Sequence, residues 1–156
     1  MRERRESGFT LIETMFAMVL FGILVAVAAP PYSAYRAKQQ HQGATREMVA
    51  FLRRAQVHAV SEETTYRVDI ASDGKSAQTY RFDGASYKAG QVLKVPTSSV
   101  TFSNASFVQP SGGTGTSVWF YPRGSGSKGS ITVTRTGTSK TYTIEVEGLT
   151  ARVSYE

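Results

Sequence analysis

Glu13 is the residue of this chain whose surroundings most demand a chemical explanation. It is the only charged side chain from Phe9 to Ala29, a run of 21 positions otherwise made of apolar, small and hydroxyl residues. At about 1.5 Å per residue, a helix of that length crosses a hydrocarbon core of roughly 30 Å. A carboxylate costs on the order of 2.5–3.5 kcal/mol at mid-membrane and less near an end, so its presence predicts a partner. The plainer alternative is a carboxylate that rests at the membrane interface. Arg2, Arg4 and Arg5 precede the run, and the preference for positive residues on the cytoplasmic side places the later domain outside. A conventional signal peptide is the competing assignment, because Ala26-Val27-Ala28-Ala29 imitates a cleavage site. Glu13 would then interrupt its apolar region near the start.

Other residues that could do chemistry lack the spacing for it. His41 and His58 stand 17 positions apart, too far for a helical metal pair, and the chain has no cysteine to serve as nucleophile or thiolate ligand. Both histidines sit among polar neighbours and are expected at the surface. Glu62-Glu63 and Glu145/Glu147 are expected to be solvated carboxylates without a general-acid partner. Asp69 and Asp73 supply only two of the oxygen ligands that calcium requires. Gly124-Ser125-Gly126-Ser127-Lys128-Gly129 fits the G-x-G-x-x-G pattern, yet the β-branched run Ile131-Thr132-Val133-Thr134 follows it. A dinucleotide site needs a helix N-terminus there, so a glycine-rich hairpin or loop is expected instead. These observations predict no catalytic residue, no metal and no cofactor.

The elements that must position Glu13 and the later residues can be read from periodicity. The 156 residues, 40% hydrophobic, suffice for one domain and an anchor. Ala44, Met48, Phe51, Leu52, Ala55 and Ala59 recur at spacings of three and four, which predicts an amphipathic helix from Tyr32 towards Val60 with that face covering a sheet. Pro30-Pro31 should kink or loosen its junction with the anchor. A helix uninterrupted from Phe9 to Val60 would be about 78 Å long, and an interrupted one is expected. Beyond Val60 the pattern turns to strands at Tyr66–Ile70, Gln78–Phe82, Gln91–Val95, Val100–Phe102, Val118–Tyr121, Ile131–Arg135, Thr141–Val146 and Ala151–Tyr155. Asp73-Gly74 and Asp83-Gly84 punctuate the early strands, and Ser111–Gly115 reads as a mobile loop.

Gly8-Phe9-Thr10-Leu11-Ile12-Glu13 resembles the class III leader junction of type IV pilins and type II secretion pseudopilins, and Gly22 and Pro30 fall where such proteins often carry helix-loosening residues. The resemblance covers about the first fifth of the chain. It implies that a prepilin peptidase cuts after Gly8 and that Phe9 is N-methylated. The new amine of Phe9 on an adjacent subunit would then neutralise Glu13 and set the axial register. Phe51–Val60 is similar to the corresponding helix segment of the H-type minor pseudopilins and the FimT/FimU-type minor pilins. Phe120-Tyr121-Pro122-Arg123-Gly124 resembles their phenylalanine-x-proline-x-glycine block. Gly148–Val153 resembles their closing glycine-arginine-valine element, with Leu149-Thr150-Ala151 intervening before Arg152.

The resemblance implies an α+β, pilin-like fold in which the C-terminal half of a long N-terminal helix packs on an antiparallel β-sheet head. Its parts would be a leader over 1–8, a transmembrane assembly helix over 9–31, an amphipathic helix over 32–60 and a β-rich head over 61–156. Such a chain would be a structural minor pilin or pseudopilin rather than an enzyme, acting in tip assembly or initiation. It would lie first in the cytoplasmic (inner) membrane as a single-pass protein with an extracytoplasmic head, then in a pilus or pseudopilus. The implied partners are other pilins or pseudopilins, the prepilin peptidase and the inner-membrane assembly platform.

A second function follows from charge. The chain carries a net +6, and from Gly84 through Ile144 it has Lys88, Lys94, Arg123, Lys128, Arg135 and Lys140 but no acid. With Arg152, these residues could bind DNA without base specificity and with strong salt dependence, aided by stacking on Trp119 or Tyr121. The alternative is an ordinary basic surface with Trp119 and Phe120 partly in the core. Some FimT-like pilins are DNA-uptake receptors, so the resemblance keeps DNA among the candidate partners.

Overall fold

A computed structural model describes residues 9–95 and 97–156, and the chain divides into one unit ending at Lys38 and another over Gln39–Glu156. The expected leader, with Gly8, lies outside the described residues. Helix α1 spans Leu11–Ser61. Its start is set by Thr10, whose carbonyl and Oγ1 accept the Glu13 N–H at 3.1 and 3.3 Å. Thr10-x-x-Glu13 has the spacing of a capping box, in which a side-chain oxygen satisfies a first-turn donor. At the other end, Glu63 N–H donates to the Val60 carbonyl and Thr64 N–H to the Ala59 carbonyl, at 3.4 and 3.2 Å. This paired closure is a Schellman motif, and it puts Glu63 in the left-handed region at φ 50°.

The interruption expected at Pro30-Pro31 does not occur, because α1 continues through both residues. Each proline withholds one N–H, so on the i→i−4 spacing only two carbonyls lose donors while the neighbouring ladder carries the helix across.

Among the described residues nine strands follow α1: β1 Tyr66–Ile70, β2 Ser76–Phe82, β3 Tyr87–Lys94, β4 Val100–Val108, β5 Thr114–Gly115, β6 Ser117–Phe120, β7 Gly129–Arg135, β8 Tyr142–Val146 and β9 Val153–Tyr155. They form two sheets, one ordered β3-β2-β1-β6 and the other β5-β4-β7-β8-β9, with every pairing antiparallel. Ala44, Met48, Phe51, Leu52, Ala55 and Ala59 are all buried, joined by Val49. They meet the inward side chains of both sheets, among them Val68 and Val118 from the first and Phe107, Ile131 and Ile144 from the second. This is the α+β, pilin-like architecture expected.

Several segments depart from the sequence expectation: β3 starts at Tyr87 rather than Gln91, and β9 starts at Val153 because Ala151, at φ 49°, is out of the strand conformation. β4 runs on to Val108 because a bulge lies between Ser103 and Ser106, with Asn104 at φ 50°. The extra residue moves burial from Val100 and Phe102 to Phe107, which breaks the alternation that identifies a strand. The Ser111–Gly115 run is also more ordered than a mobile loop, since Thr114 and Gly115 pair with Val108 and Phe107 as β5.

The two sheets are fastened at one corner by the β1–β2 turn. Gly74 (φ 64°) accepts the Phe102 N–H at its carbonyl, 2.9 Å away, and a Cβ there would collide with the Phe102 backbone. Beside it, Lys75 Nζ donates to the carbonyls of Ser98 and Val100 at 2.6 and 2.7 Å and to Thr101 Oγ1 at 2.9 Å. One ammonium thus uses all three of its protons on β4 of the opposite sheet and the turn that leads into it.

Two stability predictions follow. Lys75→Met leaves three oxygens without that donor and should lower unfolding free energy by about 1.5–3 kcal/mol in urea titration at unchanged m-value. Glu63→Gly relieves the left-handed strain at the helix end and should raise it by about 0.5–1 kcal/mol. A destabilising glycine would contradict the strain assigned to Glu63.

Candidate assembly segment and basic head surface

In the first unit, α1 is long and apolar enough to cross a membrane by length and composition. Its large apolar side chains from Leu11 to Val27 are exposed, as is Phe9 just before it. A helix apolar on all sides belongs in lipid or among other helices. Among the described residues Glu13 has no ion-pair partner. Its backbone N–H closes the Thr10 cap, a second role for this position that the Thr10-x-x-Glu13 spacing in the sequence already contained.

The head distributes the basic residues over several places. Lys88 and Lys94 lie on β3, and Lys88 Nζ is 3.0 Å from Asp83 Oδ2. Arg123 is exposed in the turn after β6. Lys128 and Arg152 line a groove of about 710 Å³ that they share with Glu145, Glu147 and Glu156. Arg135 ends β7 with a buried Nε that has no hydrogen-bond partner among the described residues, and Lys140 Nζ stands 5.3 Å from the Tyr142 ring centre. The stretch free of acids in sequence is therefore interleaved with carboxylates in space.

Trp119 is half-buried and held in place. Its Nε1 donates to Gln109 Oε1 at 3.0 Å, and Gln109 Nε2 donates to the carbonyls of Phe107 and Ser117, each at 2.9 Å. Arg67 stacks within the same cluster, its Cζ 4.7, 4.9 and 5.5 Å from the ring centres of Tyr80, Tyr87 and Trp119. Arg67 Nε faces Asp69 Oδ1 at 2.9 Å, but neither buried atom makes an aligned hydrogen bond, so the contact is an ion pair sandwiched by aromatics. Asp69 is thus committed to Arg67, and Asp73 Oδ1 accepts the Lys75 N–H at 2.8 Å. Among the described residues no three acids or histidines group as metal ligands.

His41 corrects the surface expectation: it is 3% exposed, with Nε2 at 3.0 Å from the Val133 carbonyl and its ring edge-on to Tyr142 at 4.7 Å. A carbonyl only accepts, so Nε2 carries the proton. Polar sequence neighbours misled here because a helix alternates faces, and His41 lies one turn before the buried Ala44 and Thr45. His58 is exposed as expected. The glycine motif is a structural element: Gly126 N–H donates to the Gly148 carbonyl at 2.8 Å, and a Cβ on Gly129 would strike the Ser106–Phe107 backbone. Its glycines admit neighbouring strands.

At the end of α1, Glu62 gathers Arg81, the Tyr66 hydroxyl at 3.0 Å and His58 Nδ1 at 3.1 Å. The Arg81 guanidinium, then Tyr66, holds the Glu62 carboxyl below its ordinary value of 4.5. Asp83 is held far below the carboxylate range by the backbone N–H groups of Ser86 and Ala85 and then by Lys88.

Residues 4–29 match the prokaryotic N-terminal methylation motif, and residues 44–150 match the family of type II transport protein GspH. The chain belongs to the GspH family. Type II secretion system core protein G of Aeromonas hydrophila is 40% identical over 50 residues, and a fimbrial protein of Pseudomonas aeruginosa is 43% identical over 47. These matches cover 32% and 30% of this chain, and the chain spans 35% and 30% of the length of those relatives. Among solved structures, the type IV minor pilin FimU of Pseudomonas aeruginosa superposes with a TM-score of 0.60 at 15% identity, over 78% of this chain and 92% of that one. The minor pseudopilin EpsH of Vibrio cholerae gives 0.58 at 7% identity, over 74% and 94%. The structural likenesses establish a shared pilin-like fold for this GspH-family chain.

Because Glu62 and Asp83 have lowered folded-state values, their stabilisation is complete above the ordinary carboxylate range and is lost as pH falls from that range through the lowered values. Glu62→Gln should therefore flatten the acid limb of a plot of melting temperature against pH while leaving Asp83 to titrate lower. An acid limb unchanged in the variant would remove Glu62 from this role.

Proposed function

We propose that this chain is a minor pilin or pseudopilin, held in the cytoplasmic (inner) membrane by residues 9–31 with its head outside, and then built into a type IV pilus or type II secretion pseudopilus. Tip assembly or initiation is the task proposed for it. The observation that carries the reading is the union, in one chain, of an N-terminal methylation motif over residues 4–29 and a GspH-family head over residues 44–150. An exposed apolar helix joins them, with one carboxylate that has no ion-pair partner among the described residues.

In this reading a prepilin peptidase cuts after Gly8, Phe9 becomes the methylated terminus, and the inner-membrane assembly platform receives the processed subunit. Glu13 then meets the Phe9 amine of a neighbouring pilin or pseudopilin. In a packed apolar filament core, an unpaired carboxylate is costly enough to reject subunits in the wrong axial register. DNA capture has weaker support, because Lys128 and Arg152 share their groove with three glutamates.

The cap at Thr10 uses only the backbone N–H of residue 13, which any substitution but proline keeps, so Glu13→Gln removes the charge at nearly constant side-chain size. With membrane levels equal to wild type, Glu13→Gln and Glu13→Ala should both reduce incorporation into sheared filaments by at least about tenfold, as loss of a buried ion pair predicts. Thr10→Ala should incorporate normally. Normal incorporation of Glu13→Gln would sink the pairing.

A further inference from the structure

β3 is the open edge of the first sheet, paired on one side only, with β2. It is eight residues long, and only Leu93 on it is buried. The register defines which of its backbone groups are unused. Val95 N–H donates to the Lys75 carbonyl at 2.9 Å, and Asp83 N–H donates to the Ser86 carbonyl at 3.0 Å. Antiparallel pairs alternate, so Val92 and Lys94, and below the bulge Tyr87 and Ala89, turn their N–H and C=O groups away from β2. Long edges of this kind accept an added strand unless something covers them.

Something shaped to receive one lies beside it. Between α1 and the helix-facing side of β2 and β3 runs a groove of about 350 Å³, with Phe51, Ala55 and the Tyr66 ring among its apolar lining. Arg54, Arg81 and Lys88 line it too, and no carboxylate does. Arg81 and Lys88 are already paired with Glu62 and Asp83. Among the described residues Arg54 has no carboxylate partner and makes a 3.4 Å bond to the Ala50 carbonyl of its own helix. The charge of Arg54 is therefore the one in the lining open to another molecule.

We propose that β3 and this groove form a docking site for an extended acidic segment of a partner protein, which adds to the first sheet as a fifth strand. Main-chain bonds to the outward groups of β3 would supply register, and alternate side chains would supply specificity. On the face towards α1, the segment presents apolar side chains to Phe51, Ala55 and Tyr66 and a carboxylate to Arg54. The charge pattern of the lining selects an acidic partner over a basic one. The site lies wholly in the head and does not depend on the filament reading, since it uses neither Glu13 nor the apolar segment.

The test uses the full chain in detergent micelles and the probe acetyl-Thr-Glu-Thr-Val-Thr-Glu-Thr-Leu-amide, with a control in which lysine replaces both glutamates. Amide exchange is followed residue by residue. The acidic peptide should slow exchange at Ala89, Val92 and Lys94, and the lysine peptide should not. Arg54→Glu with Lys88→Glu should weaken binding by about tenfold or more through charge reversal. Val92→Pro should abolish it by removing an outward N–H that β2 does not use, with the melting temperature recording that the head still folds. Should Val92→Pro unfold the head, the charge-reversed protein alone decides. Equal binding of the two peptides, protection elsewhere, or no protection would overturn the proposal. So would protection of β3 that rises with protein concentration alone, because the occupant would then be a second copy of this chain.

Discussion

Everything in the head depends on how closely one stripe of α1 can approach two sheets at once. Ala44, Ala55 and Ala59 lie buried on that stripe with Met48, Phe51 and Leu52, in one core with side chains of both sheets. These six sit on one face because of the 3.6-residue repeat, and each is essentially sealed from water. Polar groups along the borders of that stripe then tie the helix to particular strands. His41 reaches the Val133 carbonyl, Arg53 Nη2 the Val153 carbonyl at 2.8 Å, and Gln56 Nε2 the Thr150 carbonyl at 3.0 Å. Apolar burial supplies the attraction, and these bonds fix the register in which it is obtained.

The same helix must satisfy a different surrounding before Lys38. From Leu11 to Val27 its large apolar side chains are exposed all round, which suits lipid or other helices. A continuous α1 puts both requirements on one element. Glu13 and Thr10 sit where that element begins, and the backbone N–H of Glu13 belongs to the group that starts the helix.

Much of this was legible in the residues themselves, and the exceptions have physical causes. β1 was readable to the residue because Tyr66, Val68 and Ile70 alternate with polar neighbours without a break. The helix stripe was readable for the same reason at a different period. β4 was cut short because its bulge shifts inward burial by one position, and β5 escaped notice because two residues carry no period. His41 was misplaced because composition around a helical residue says little about which face it occupies. The basic stretch was visible as sequence, but its interleaving with Glu145, Glu147 and Asp83 arises only when β7, β8 and β9 pair and the β2–β3 turn closes. The glycine motif shows the reverse case: the following β-branched strand already argued for chain packing, and Gly129 against Phe107 is that packing.

Lys75 bears on how the head comes apart as well as on how it holds together. Its partners lie 23 to 26 positions further along the chain, on β4 of the other sheet and in the turn before it. The β1–β2 hairpin can form from neighbouring residues, but its ammonium exchanges water for protein oxygens only when β4 arrives. The seam between the sheets is therefore no line of weakness. Partial opening there would strip Lys75 and Gly74 of their partners together, so the two sheets should melt in a single cooperative step, and a pulling force applied through α1 would be shared by the whole head.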